Sequence, residues 1–143
     1  MIKIFDLKEQ YKQFGSTIDK KILNILSSGN YILGKNVTTF EEKTKDYLKS
    51  KYTISCNSGT DALVLSLRAL GIQSGDEVIT TPFSYFATAE SISLTGAKPV
   101  FADINPHTYN INPKNIPNLI TKKTKAILSV NLFGQACELD KIN

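Results

Sequence analysis

From Lys51 onward, short apolar or β-branched runs alternate with stretches that carry apolar residues at helical spacing, and this alternation constrains the fold most. The strand-like runs are residues 52–56, 77–81, 98–103 and 125–131. Helical patterns over 61–70 and 85–94 separate the first three, with Gly71 and Gly96 as their stops. Pro82 ends the second run, and Pro99 sits near the start of the third, where a strand tolerates it. Residues 105–117, rich in Asn and Pro, read as loop, with a short helical stretch ending near Ile120. Gln135 onward reads as the start of another helix. Strands and helices in this order predict an α/β fold built of βαβαβ units in a mostly parallel sheet. Crossovers in such sheets are right-handed, and ligands gather at the carboxyl ends of the strands.

Residues 1–50 precede this pattern as an N-terminal helical segment, leaving 51–143 as the sheet portion. Leu7, Tyr11, Phe14, Ile18, Ile22, Ile25 and Leu26 recur at mostly helical spacing, although Gly15 weakens the middle and leaves one broken helix or two short ones. Ser27-Ser28-Gly29-Asn30 stops this stretch, and Tyr31-Ile32-Leu33-Gly34 forms a short apolar loop. A second amphipathic helix follows, with Asn36 as its cap and Val37, Phe40, Tyr47 and Leu48 on the buried side.

Composition narrows the function classes. With 143 residues, 41% hydrophobic and 21% charged, the chain is globular rather than disordered. The net charge of +4 comes from scattered lysines, with no basic run interleaved with aromatics, so nucleic acid is not an expected partner. Cys56 and Cys137 are far apart in a chain with one His, which argues against zinc and for reduced thiols in a cytoplasmic protein. Met1-Ile2-Lys3-Ile4-Phe5-Asp6 has no signal-like apolar stretch, and no segment reaches the roughly 20 apolar residues that span a bilayer, so no membrane partner is expected.

Chemistry is expected in the segments that follow strands. Asn57-Ser58-Gly59-Thr60 opens a helix, so its unpaired N–H groups and the positive end of the helix dipole favour an anion. Gly59 allows close approach and Thr60 adds a hydroxyl; the plainer reading is that Ser58 or Thr60 only caps the helix. The motif is neither a Walker A loop nor GxGxxG. Phe83, Tyr85 and Phe86 follow the next strand, either to stack on a planar ring or as a core cluster. Asp103-Ile104-Asn105 and Asn131-Leu132-Phe133-Gly134-Gln135 place polar groups after the last two strands.

Taken in order, these segments resemble the N-terminal part of the DegT/DnrJ/EryC1/StrS sugar-nucleotide aminotransferases, pyridoxal-phosphate enzymes of aspartate aminotransferase fold type I. The resemblance is carried by Phe5-Asp6-Leu7, Tyr31-Ile32-Leu33-Gly34, Asn57-Ser58-Gly59-Thr60-Asp61-Ala62-Leu63 and Gly75-Asp76-Glu77-Val78-Ile79. It continues through Phe86-Ala87-Thr88-Ala89, Gly96-Ala97-Lys98-Pro99-Val100-Phe101, residues 121–127 and Phe133-Gly134-Gln135, and so covers essentially the whole chain. Within the family the chain is most similar to enzymes that aminate a 3-keto UDP-sugar uronate for surface polysaccharide. Ile54-Ser55-Cys56, Thr88-Ala89-Glu90 and residues 103–110 carry that finer likeness.

The resemblance implies that Ser58, Gly59 and Thr60 hold the phosphate of pyridoxal 5'-phosphate (PLP) and that Tyr85 stacks on its ring. It places Tyr31, Leu33, Gly34, Asn131 and Gln135 near the substrate, the 31–34 loop by way of a dimer interface; an apolar loop anchoring the first helix is the alternative. The implied reaction moves an amino group from an amino acid, glutamate, to a keto-sugar nucleotide, as in O-antigen synthesis, in a cytoplasmic homodimer. Family members are much longer, so the chain corresponds to an incomplete PLP-transferase large domain. No lysine here stands in the family's Schiff-base motif, so no catalytic residue is assigned and the chain alone is not expected to transaminate. Three other readings remain: a PLP-dependent sugar dehydratase with histidine in place of that lysine, a non-catalytic phosphate-binding or assembly fragment, and an unrelated flavodoxin-like domain.

Overall fold

The computed structural model describes residues 4–143, and the chain divides into two compact units between Ser55 and Cys56. Met1-Ile2-Lys3, part of the N-terminal sequence reading, lies outside the described residues. Among the described residues no helix is long and apolar enough to cross a membrane.

The first unit holds α1 (Leu7–Ser28) and α2 (Lys35–Leu48). Asp6 starts α1 by accepting hydrogen bonds from the amides of Lys8 and Glu9, and Gly29 ends it at φ 68°. Gly15 does not break the helix. The Tyr11 ring lies over it, so that a Cβ at residue 15 would stand 2.9 Å from Tyr11 Cζ, and the Tyr11 hydroxyl donates to Asp19 Oδ2 at 2.8 Å. Tyr11, Gly15 and Asp19 are spaced four residues apart on one helical face.

The hydrogen bond to Asp19, followed by that carboxylate's charge, raises the Tyr11 pKa above its ordinary value. Because the raised value favours the neutral phenol in the folded state, this stabilisation is full below the ordinary tyrosine pKa of about 10 and is lost as pH rises through the raised value. Asp19→Asn should therefore move the Tyr11 midpoint downward in an NMR pH titration; an unmoved midpoint would refute the pairing.

The start of α2 differs from the sequence expectation. Gly34, not Asn36, occupies the cap position, because its carbonyl accepts from Val37 N at 2.9 Å and no side-chain cap bond forms. The apolar faces form as spaced but remain open. Phe40, Tyr47 and Leu48, expected to be buried, are exposed, as are Leu7, Tyr11, Phe14, Ile18, Ile22 and Leu26 on α1.

Residues 52–56 form no strand. Ser50 Oγ donates to the Tyr52 carbonyl (3.0 Å) and Ser55 N donates to Glu41 Oε1 (2.7 Å), so these backbone groups bond side chains rather than a ladder. β propensity alone does not make a strand without a partner. The segment before the 57–60 motif is thus loop.

The second unit begins with α3 (Gly59–Ala69). It ends in a Schellman motif: Gly71 N donates to Arg68 O (2.9 Å), Ile72 N donates to Leu67 O (3.0 Å), and Leu67 and Ile72 are buried together. The parallel sheet has β1 (Glu77–Thr80) at its centre, flanked by β2 (Lys98–Phe101) and β3 (Thr124–Ile127). Pro99 is tolerated because β2 is an edge strand.

α4 (Ala87–Ser93) joins β1 to β2, and Tyr85, expected inside that helix, lies in the loop before it. No α-helix joins β2 to β3. Two 3₁₀ turns, Pro113–Asn115 and Pro117–Leu119, take its place, each opened by a proline that cannot continue a helix.

The strands also end earlier than their apolar runs. β2 stops because Ile104 pairs antiparallel with Ile111 instead, and β3 gives way where Thr80 Oγ1, rather than a backbone amide, donates to Leu128 O at 2.7 Å. Consecutive residues of β1 face opposite sides. Val78 packs with Leu67, Ile72, Ile92 and Ala97, whereas Ile79 packs with Ala102, Ile111, Ile116 and Cys137. The chain closes on a 3₁₀ turn, Leu132–Gly134, and the short α5 (Leu139–Ile142), rather than a helix starting at Gln135.

Candidate functional site

At the head of α3, Ser58 is extended (φ −153°, ψ 166°) and its hydroxyl accepts from Asp61 N at 3.1 Å while donating to Asp61 Oδ2 at 2.8 Å. Ser58 therefore caps the helix, and its proton is committed to Asp61. Its carbonyl accepts from Ala62 N (3.0 Å) and from the Cys56 thiol (3.3 Å). The amides of Gly59 and Thr60 have no acceptor among the described residues, and neither does the Thr60 hydroxyl. A Cβ at Gly59 would meet nothing within 4 Å. Two unpaired N–H groups and a hydroxyl at the positive end of an 11-residue helix, with open space before them, suit a phosphate dianion.

Tyr85 stands in the loop after β1 and is 82% exposed. Its loop is tied down by Phe83 N donating to Thr81 Oγ1 (3.2 Å) and by a Ser84–Thr88 hydroxyl pair at 2.8 Å. The ring borders a crevice of about 260 Å³ shared with Pro82, Ser84 and Thr88. A fixed loop carrying an open aromatic face is able to receive a planar ring.

Asn131 and Gln135 lie in one loop after β3. Asn131 Oδ1 accepts from Cys137 N (2.9 Å), and the Gln135 carbonyl accepts from Asn110 Nδ2 (2.9 Å). Phe133 and Phe83 flank Tyr109: Phe83 stacks on it at 5.8 Å, and Phe133 meets it edge-on at 6.3 Å. Tyr31, Leu33 and Gly34 belong to the first unit. There Tyr31 and Gly34 line a cavity of about 390 Å³ with Asn24, Ile25 and Val37, while Leu33 projects away at 83% exposure with φ 50°.

Tyr109 and Asn110 enter the sequence analysis only as part of the 103–110 likeness, with no structural or binding role assigned to either. Nothing in an Asn- and Pro-rich loop separates a buried asparagine from an ordinary turn asparagine; the one available signal was the apolar Ile111 directly after it. Among the described residues no group of three or more His, Cys, Asp or Glu is placed to hold a metal.

The sequence profile described as the DegT/DnrJ/EryC1/StrS aminotransferase family matches residues 12–143. The chain belongs to that family. Among its relatives is the UDP-2-acetamido-2-deoxy-3-oxo-D-glucuronate aminotransferase of Pseudomonas aeruginosa, 49% identical over 143 residues, which make up 100% of this chain and 40% of the relative. Among solved structures of the family, DesV of S. venezuelae superposes with a TM-score of 0.94 at 35% identity, covering 99% of this chain and 38% of DesV. NtdA of Bacillus subtilis, solved with bound cofactor PMP, superposes with a TM-score of 0.89 at 36% identity, covering 91% of this chain and 30% of NtdA. The chain thus spans no more than about two-fifths of the length of these curated relatives, from 40% down to 27%. These likenesses give the chain the fold of PLP-dependent sugar aminotransferases, of which it covers part.

Proposed function

We propose that this chain forms the cofactor-phosphate and ring-stacking part of a PLP-dependent aminotransferase acting on a keto-sugar nucleotide for surface polysaccharide. The observation that carries the reading is the pair of unpaired amides, Gly59 and Thr60, heading α3 in a chain of this family. When bound, PLP supplies an electron sink for bond changes at the amino carbon. Gly59 N–H, Thr60 N–H and the Thr60 hydroxyl bind its phosphate, Ser58 keeps that turn in shape, and the Tyr85 ring orients the pyridine plane. Tyr31, Leu33, Gly34, Asn131 and Gln135 line the approach of the sugar nucleotide. The amino donor is an amino acid, glutamate, and the substrate is a 3-keto UDP-sugar uronate, in keeping with the 49% identity to the Pseudomonas aeruginosa enzyme. Residues 1–143 serve as the leading part of the transferase large domain, within a cytoplasmic homodimer.

The test is made on the native gene product carrying this chain. It should retain PLP through gel filtration and convert a UDP-3-keto-sugar plus glutamate to the UDP-amino sugar and 2-oxoglutarate, detected by mass spectrometry. A protein that retains PLP but aminates no nucleotide sugar would overturn the substrate assignment; one that retains no PLP would overturn the whole reading.

A further inference from the structure

Asn110 is only 4% exposed, and a single loop takes up its side-chain amide. Nδ2 donates to the carbonyls of Gln135 (2.9 Å) and Ala136 (3.1 Å), while Oδ1 accepts from Leu132 N (3.1 Å). Two donors and an acceptor on one short stem are what a primary amide offers and what no other short side chain reproduces. The loop is also closed at its base, where Asn131 Oδ1 accepts from Cys137 N (2.9 Å) and the Cys137 thiol donates to Val130 O (3.0 Å). Residues 131–136 therefore wrap around the Asn110 amide.

Asn110 is itself anchored. Its carbonyl accepts from Asn105 N (2.9 Å), and Ile111 beside it is 2% exposed in the core and bridged to Ile104.

The arrangement holds two strained residues. Phe133 at φ 55° and Tyr109 at φ 60° adopt the left-handed conformation that bulky side chains avoid. One follows a residue bonded to Asn110, and the other precedes Asn110 itself. Core packing does not account for the strain at Phe133, a residue that stays 83% exposed beside Tyr109. Strained backbone of this kind clusters at ligand-binding and active-site elements. Unlike Leu33 and Lys49, which share positive φ, Phe133 and Tyr109 touch each other and both adjoin the Asn110 anchor. The crevice lined by Phe83 and Phe133 shares Pro82 and Ser84 with the crevice that Tyr85 borders, so the two adjoin along one loop.

We propose that Asn110 is a positioning residue, holding the 131–137 loop so that Phe133, set against Tyr109, forms a wall of the sugar-nucleotide pocket next to Tyr85. The substrate part of this proposal rests on the function proposed above.

The test uses the native gene product and three variants: Asn110→Ala, the isosteric Asn110→Asp, which loses both donors but keeps the acceptor, and Phe133→Leu. Both Asn110 variants should lose amide-exchange protection across 131–137 and raise KM for the sugar nucleotide roughly tenfold, the size of one lost buried hydrogen bond. Their PLP affinity and amino-donor KM should stay within about twofold of the parent. Phe133→Leu should raise the same KM while keeping the exchange protection.

Unchanged protection in Asn110→Asp overturns the holding role, as does a parallel loss of PLP affinity, donor KM and sugar-nucleotide KM. An unchanged KM in Phe133→Leu overturns the wall. If the parent protein binds no PLP, the functional reading fails and takes the wall with it, while the exchange measurement still decides whether Asn110 holds the loop.

Discussion

Gly59→Pro should weaken PLP binding roughly thirtyfold, about 2 kcal/mol for one lost donor to a charged phosphate, while leaving the fold intact or slightly more stable. The substitution removes one N–H and little else. Gly59 is the first residue of α3, the position where proline is best tolerated. Ser58 before it is already extended, the conformation a following proline demands. Space at the Cβ position is open to 4 Å. Replacing the most flexible residue by the stiffest also reduces the freedom of the unfolded chain, by up to about 1 kcal/mol in favour of folding. Calorimetric PLP titration and thermal denaturation of the same samples separate the two effects. Affinity that stays at the parent level would show that the Gly59 amide does not contact the phosphate.

Ile79→Ala should destabilise the protein by about 3 kcal/mol, against about 0.5 kcal/mol or less for Leu65→Ala. Ile79 is fully buried on the central strand, whereas Leu65 on α3 is 53% exposed. Removing the Ile79 side chain opens a cavity among Ala102, Ile111, Ile116 and Cys137, and β1, paired on both edges, cannot shift to fill it. Since domains of this size are stable by only about 5–15 kcal/mol, the loss is visible as a lower denaturation midpoint in urea. Equal effects for the two variants would mean that the face of the sheet carrying Ile79 is not a packed core. Ile111, the neighbour of Asn110, sits in the same cluster, so this variant should also loosen the 131–137 loop.

How legible each part was follows from how local its cause is. The start of α3 could be read because a cap, a first turn and a dipole all lie within five residues, and Asp61 sits three residues after Ser58, as a cap partner should. Two cores on β1, which the sequence reading did not name, follow from the apolar pair Val78-Ile79 facing opposite sides of the central strand. Residues 52–56 misled because a ladder needs a partner, and side chains of Ser50 and Glu41 take the backbone groups instead. The second crossover was legible because Asn- and Pro-rich punctuation is local: residues 105–117 are loop and short turns, and the short helical stretch ends at Ile120 as a 3₁₀ turn. Tyr85 was expected on a helix but stands in a loop, which leaves its ring open.

By itself, then, the sequence determined the α/β class, the parallel sense of the strands and the capped helix start at Ser58-Gly59-Thr60, since alternation, capping and helix polarity act between neighbours. The strand order came only from the structure. Only the tertiary structure decided that Asn110 grips the 131–137 loop and that Phe133 and Tyr109 are held in strained conformations beside each other. Those bonds join groups 22 to 26 residues apart. Their worth depends on burial, and burial is a property of the packed molecule rather than of any stretch of chain.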